Sequence, residues 1–403
     1  MNTFTDMPAA AHPVSARPLK ILYHHRTRSK DGQYVHIEEM INALREQGHE
    51  VIIVAPPSAE QEDFGSDAGM VAWLKKFMPK AAYEVMELAY SLVAYRRLVK
   101  AVKLHQPDCI YERYNLFLPA GIWLKRRFKL PFLLEINAPI MEERARYDGL
   151  ALKGLARWSQ KFAWQQADKV LPVTRVLADI VADYGVPEAN IVVIPNGINL
   201  TRFNGDSDLA AAKKALGFEK SLVLGFTGFV RDWHGLDKVV AMIATDPPEA
   251  PRQLLVVGDG PARESLEKQA AALGIADRVR FTGIIERDDV ARYVAAFDIA
   301  LQPAVVAYAS PLKLFEYLAQ GKAIVGPDQP NITEILSADH NAVLFDPAAP
   351  DGLALAVKRL CEDDVLRAKV AKNAQLSIEE QHLTWHANAR RVVGLFEGML
   401  QRA

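Results

Sequence analysis

From residue 19 onward, short apolar runs alternate with stretches in which apolar positions recur every three or four residues. Residues 19–25 (LKILYHH) predict a strand. Ile37, Met40, Ile41 and Leu44 then share one helical face, and Gly48 marks the helix end. Residues 49–55 predict the second strand, stopped by Pro56 and Pro57, and more strands are expected at 109–114, 131–136, 169–173 and 191–194. Helical spacing covers 150–167 and 175–184. The segment 195–203 (PNGINLTRF) interrupts this rhythm, which restarts with strands expected at 222–226, 253–257, 279–282, 299–302, 323–325 and 342–345. A last helical stretch, 385–401, follows the second series. Strands alternating with helices predict parallel sheets covered on both faces, hence an α/β chain of doubly wound halves.

The hinge expected near 195–205 divides a tail at 1–18 and a first domain at 19–195 from a second domain at 196–380, with a terminal segment at 381–403. A length of 403 residues suits two cores rather than one. Ligands of such folds collect where the carboxyl ends of the strands and the helix N-termini point, so the central cleft facing both halves is the expected site. Lys and Arg number 48 and Asp and Glu 49, a net −1 that argues against a nucleic-acid partner. Cys109 and Cys361, the only cysteines, exclude a disulfide framework and a cysteine-based zinc site. No apolar run approaches the ~18 residues of a membrane span. The opening residues lack the charged start and apolar centre of a signal peptide. A soluble cytoplasmic protein is therefore expected.

Glycine-bearing loops between strand and helix offer unpaired N–H groups and a partial positive charge, which suit phosphate. Three are visible: Asp31-Gly32, Gly258-Asp259-Gly260-Pro261, and the segment 226–235 (FTGFVRDWHG). Each could also be a plain tight turn. Position 263 is Arg, so GDGPAR falls short of the dinucleotide fingerprint. Arg231 and His234 in the third loop would add donors for an anionic diphosphate. The sharpest segment is 309–321 (ASPLKLFEYLAQG). Ser310 is expected to cap a helix opening at Pro311. Lys313 would then oppose the helix dipole in the first turn, which is unfavourable without a bound anion. Glu316 could accept two ribose hydroxyls; an exposed ion pair with Lys313 is the bland alternative.

Taken in order, these segments resemble the GT-B glycosyltransferases, specifically the retaining, nucleotide-sugar-dependent family 4 with two Rossmann-like domains. The matching stretches are 32–51 (GQYVHIEEMINALREQGHEV), 193–199 (VIPNGIN), 225–235 (GFTGFVRDWHG), 255–260 (LVVGDG), 278–283 (RVRFTG) and 310–327 (SPLKLFEYLAQGKAIVGP). The resemblance implies a nucleotide-diphosphate sugar as donor, a glycan or lipid-linked acceptor held by the first domain, and no metal or other cofactor. It implies Gly32 under the donor phosphates, Arg231 and His234 on the diphosphate, Ile284 and Ile285 beside the base, and Glu316 on the ribose. It also implies that the terminal helix crosses back to the first domain. Departures fall at the sugar end: Tyr308 stands where the family has the first Glu of its E-x7-E motif, and Phe229 where an Arg follows the loop glycine. His234 replaces a Lys, and Asn137 replaces a His beside Glu135, Glu142 and Glu143. Two other readings stay open, a GT-B epimerase acting on a nucleotide sugar and a non-catalytic scaffold.

Metal readings of Asp206-Ser207-Asp208 and of His382 with His386 are weaker: Asp208 suits an N-cap, and Thr384 between the histidines breaks their shared face. His24 and His25 point to opposite faces of one strand. Residues 71–130 hold twelve Lys and Arg against four Asp and Glu, with interleaved aromatics. Such a segment suits anionic lipid headgroups, and peripheral attachment to the inner face of the cell membrane is expected.

Overall fold

The computed structural model describes residues 17–27, 32–56, 78–204, 208–247 and 252–402. Asp31, residues 71–77, and Asp206 with Ser207 lie outside them, as does the tail up to residue 16. The described residues form two compact units, one running up to Pro195 and including Trp385 onward, the other Asn196–Thr384.

In the first unit, β1 (Lys20–His24), β2 (Glu50–Val54), β3 (Cys109–Arg113), β4 (Phe132–Ile136) and β5 (Lys169–Pro172) form a parallel sheet in the order β2-β1-β3-β4-β5. Its longer helices are α1 (Gly32–Glu46), α2 (Lys80–His105), α3 (Ala120–Phe128), α4 (Lys153–Gln166) and α5 (Arg175–Asp183). β3 and β4 are buried along their whole length, which explains why they read as continuous apolar runs. Glu112, Arg113 and Glu135 break that apolar run at the carboxyl ends, where a sheet of this type presents its chemistry.

The strand expected at 191–194 is not a ladder strand. Val192 and Ile194 donate to the Val170 and Pro172 carbonyls at 3.0 Å each, but the pairing reduces to a single bridge between Ile191 and Val170. Pro172 has no N–H to return to the parallel neighbour, so the ladder stops at one-sided bonds.

The second unit has β6 (Leu222–Thr227), β7 (Arg252–Val257), β8 (Val279–Phe281), β9 (Ile299–Leu301), β10 (Ala323–Pro327) and β11 (Val343–Phe345), all parallel, in the order β11-β10-β9-β6-β7-β8. Its longer helices are α6 (Leu209–Leu216), α7 (Leu236–Ile243), α8 (Arg263–Ala272), α9 (Leu312–Ala319), α10 (Gly352–Glu362) and α11 (Asp364–Glu380). Strand alternation splits the core by face: Leu224, Phe226, Leu254 and Val256 pack in one cluster, and Val223, Leu255 and Val257 in the other. The terminal α12 (Trp385–Leu400) belongs with the first unit. His386 pairs with Glu46 at 2.6 Å, and the Trp385 ring stands 4.8 Å from that of His36.

Beyond β6 and β7 the two strand-to-helix loops run backbone against backbone. Gly228 donates to Val257 O, and Val230 to Asp259 O, both at 2.9 Å. A Cβ on Gly258 would lie 2.2 Å from Gly228 O, and the residue has φ +141°, so only glycine fits. Gly258→Ala should therefore lower the stability of this unit by about 3 kcal/mol, read as an earlier thermal unfolding transition.

Candidate active site

The carboxyl end of β6 and the first turns of α9 build the site in the second unit. Thr227 donates its amide to the Tyr317 hydroxyl at 2.9 Å, and its own hydroxyl to Glu316 Oε2 at 3.2 Å. These bonds fix the helix against the strand end. Lys313, one turn before Glu316 on the same helix side, places Nζ 3.6 Å from the centroid of the Phe226 ring. A Cβ on Gly228 would lie 3.5 Å from that Nζ, so the loop glycine leaves the ammonium open on its loop side. Burial pushes Lys313 down to about 7, with Glu316 pulling the other way. Burial also raises Glu316, opposed by the Thr227 hydrogen bond and Lys313. The bland Lys313–Glu316 surface pair is thus replaced by a half-buried cation on an aromatic face and a carboxylate tied to Thr227.

Ser310 does not cap α9. The helix starts at Leu312 with Pro311 before it and no side-chain cap. Ser310 meets Asn196 instead, which donates its amide to Ser310 Oγ at 3.4 Å and its Nδ2 to Ser310 O at 2.6 Å. The loop before α9, which carries Tyr308, hangs on amides that the sequence did not single out. Asn331 donates to Ala309 O at 2.6 Å and to Val306 O at 3.2 Å, and Gln302 donates to Ala304 O at 2.6 Å.

His234 is not a cation. It is buried, and its Nδ1 accepts the Arg231 amide at 3.1 Å. Burial, then Lys313 and Arg231, push its pKa down to about 2. With Nδ1 accepting, the proton of the neutral ring sits on Nε2, so His234 can donate one hydrogen bond but brings no charge. Arg231 is exposed, its guanidinium 4.9 Å from the Phe229 ring. Ile284 is 61% exposed, whereas Ile285 packs against the core. This corner can hold an anion with Lys313 and Arg231, and accept hydroxyls at Glu316.

The other predicted residues lie in the first unit. Gly32 opens α1. Glu135, expected to touch substrate, is buried among partners of its own unit. Oε2 takes the Tyr111 hydroxyl at 2.7 Å and faces His36 Nε2 at 3.0 Å, while Oε1 takes Arg113 and Asn137. Three hydrogen bonds and the facing imidazole thus tie the carboxylate to neighbours of its own unit. Burial would raise Glu135, but His36 and Arg113, with hydrogen bonds from His36 and Tyr111, hold it well below the usual carboxylate range. Its effect is to aim the half-buried Asn137, whose carbonyl oxygen stays available. Beside it, His24 pairs with Glu112, and burial lowers His25 to about 4. Among the described residues no group of three or more His, Cys, Asp and Glu side chains could hold a metal, and Asp208 caps α6 through the Ala210 amide at 2.9 Å.

Residues 31–197 match the family model described as a glycosyl transferase 4-like domain, and residues 210–377 match that of glycosyl transferases group 1. The chain belongs to the GT-B glycosyltransferases. Among relatives of this glycosyltransferase, the alpha-monoglucosyldiacylglycerol synthase of Streptococcus pneumoniae is 25% identical over 313 residues, or 75% of this chain and 69% of that one. Two solved structures share the fold. HepE of Anabaena in complex with UDP aligns with a TM-score of 0.73 and 18% identity over 94% of this chain and 100% of its own. Sucrose-phosphate synthase from Thermosynechococcus elongatus gives 0.75 and 19% over 96% and 100%.

Two expectations follow for the glycosyltransferase. Removing Glu135 (Glu135→Ala) strands the buried Arg113 and His36, so stability should fall by about 3–5 kcal/mol in denaturant titrations. A free-enzyme Lys313 pKa of about 7 sets the sign of a pH dependence. Below that pH the ammonium is charged and attracts a diphosphate; above it the charge must be restored on binding. Affinity for a nucleoside diphosphate, measured calorimetrically, should be flat below about pH 7 and fall by up to tenfold per unit above it. Lys313→Arg, charged throughout, should abolish the slope.

Proposed function

We propose that this glycosyltransferase is a retaining, family 4 enzyme that moves a sugar from a nucleotide-diphosphate sugar to a hydroxyl of a glycan or lipid-linked acceptor, in polysaccharide or glycolipid assembly, with no metal. The observation that carries the reading is the half-buried Lys313 ammonium, set between the Phe226 ring and a glycine loop, with the Glu316 carboxylate one turn further on. A cation whose charge burial opposes gains most from a dianionic ligand. Lys313 and Arg231 would hold the diphosphate, His234 would donate to it through Nε2, and Gly32 would lie beneath it. Glu316 would accept the ribose hydroxyls, with Ile284 and Ile285 beside the base. Asn137, aimed by Glu135, would accept a hydrogen bond from sugar or acceptor. Tyr308 and Ser310 would line the loop at the sugar end.

In the step proposed, the bond from the anomeric carbon to the diphosphate oxygen breaks as the acceptor oxygen attacks on the same face. The leaving phosphate oxygen takes the acceptor's proton, so no protein nucleophile is needed. The positive groups above stabilise the negative charge that develops on the diphosphate. The UDP complex of HepE and the glycolipid product of the pneumococcal relative support a nucleotide-sugar donor and a lipid-linked acceptor. Work on such an acceptor would bring the enzyme to an anionic membrane surface, to which the basic segment 71–130 is suited.

A thermal-shift screen of UDP, GDP, ADP and their sugars should find one nucleotide that raises the melting temperature. Glu316→Ala should weaken that nucleotide by roughly 10- to 100-fold through the lost charged hydrogen bonds. Lys313→Ala should cut turnover further, and the product should keep the donor's anomeric configuration by NMR. Unchanged kinetics for both variants would remove the site assignment. Donor binding without turnover over an acceptor panel would remove the enzyme reading in favour of a scaffold, and isomerisation of donor alone would favour an epimerase.

A further inference from the structure

The net charge of the segment 78–130 hides how its charges are distributed in space. All its carboxylates are engaged within the unit. Glu84 accepts the amides of Ala151 and Leu152 at 2.8 and 2.7 Å, Glu87 pairs with Arg144 at 2.8 Å, Glu112 with His24, and Asp108 with Arg17 at 2.8 Å. Six of its cations do the reverse, whereas Arg113 and Lys125 pair with Glu135 and Asp168. Arg96, Lys100 and Lys103 on α2 are exposed, as are Arg126 and Arg127 on α3 and Lys129 just after it. Among the described residues, no carboxylate pairs with any of these six.

Helical spacing places apolar side chains in the same row. Glu84, Glu87, Ser91, Ala94, Leu98 and Val102 form the buried side of α2. On the opposite side, Val85 (52% exposed), Leu92 (57%) and Leu104 (70%) lie along one stripe with Arg96, Lys100 and Lys103. Arg96, Lys100, Lys103 and Leu104 edge a shallow depression. The surface continues across α3 to α4. Arg127 donates to the Tyr95 hydroxyl at 3.2 Å, and the Arg126 guanidinium lies 5.2 Å from the Phe162 ring. Phe162 stacks at 5.4 Å on Trp158, which is 50% exposed.

We infer that this face, the outer stripe of α2 with the basic end of α3 and Trp158 of α4, docks on an anionic phospholipid surface. The inference rests on the proposed membrane attachment and adds which face makes contact. Lying in the headgroup plane, α2 would bring its cations to the lipid phosphates and its aliphatic side chains to the acyl boundary, with Trp158 at headgroup depth. Charge and apolarity on one stripe decide against the other occupants. A nucleic acid would meet the cations but leave Val85, Leu92 and Leu104 in water. A second copy apposed on the same face would set cation against cation.

Co-sedimentation of the full chain with vesicles of equimolar phosphatidylglycerol and phosphatidylcholine should show binding that falls as salt rises and is absent with phosphatidylcholine alone. Replacing the α2 cations together (Arg96→Ser, Lys100→Ser, Lys103→Ser) should lower partitioning on the order of 100-fold, about fivefold per charge. Lys100→Glu alone should lower it more than fivefold. Tryptophan emission should shift to the blue on vesicles, and the shift should shrink in Trp158→Phe. The rise in melting temperature with the nucleotide found by the UDP, GDP and ADP screen should be the same in every variant. That readout separates this proposal from the donor-site reading and reports that the variants are folded. Equal partitioning of wild type and the triple variant would overturn the docking face. So would RNA binding, or dimerisation in solution, that the same triple substitution abolishes while vesicle binding persists.

Discussion

A charge withdrawn from water must be met by another charge or by hydrogen bonds, and the two units of this protein meet that demand in opposite ways. At the carboxyl ends of β3 and β4, Glu135 is surrounded by Arg113, His36, Tyr111 and Asn137, and its charge is answered from within. At the carboxyl end of β6, Lys313 has an aromatic face and a glycine loop for neighbours, and its charge is left incompletely answered. The first arrangement yields a rigid scaffold that aims an amide. The second yields a corner whose charge an anion would complete. The same physics thus gives one unit its architecture and leaves the other a charge to be answered.

The open corner depends on how closely two loops can approach. Parallel strands deliver all their connecting loops to one edge, so loops of neighbouring strands crowd there. Gly258 answers that crowding by removing the side chain that would strike Gly228 O, while Gly228 at φ +118° frees the space beside Lys313. Tyr317 then locks α9 to the strand through the Thr227 amide. Helix, strand end and loop are each ordinary. Their conjunction holds a lysine where its charge is costly without a ligand.

Charge sorting on the first unit follows the same rule on a larger scale. Carboxylates of the segment 78–130 are drawn to partners within the unit, while Arg96, Lys100, Lys103, Arg126, Arg127 and Lys129 stay on the outer surface. The basic excess of this segment, within a chain of net charge −1, becomes a basic face with no paired carboxylate among the described residues. The exposed aliphatic residues on the same stripe of α2 give that face a second, apolar character.

Much of the fold was legible from residue order alone. The period of apolar positions marks strand and helix, and the run at 195–203 marks the change of unit, because burial on both faces of a parallel sheet leaves a local signature. The 191–194 segment misled, since nothing local shows that its neighbour would be Pro172. The residue types of the site were also legible: a lysine opposing a helix dipole, a glutamate one turn on, and glycines after strands. What these residues do was decided only by the fold. Ser310 meets Asn196 rather than capping a helix, His234 is neutral because it is buried beside two cations, and Glu135 is spent on neighbours brought from α1 and β3. Protonation, pairing and exposure depend on which distant side chains arrive within a few ångströms, and that information is carried by packing, not by spacing along the chain.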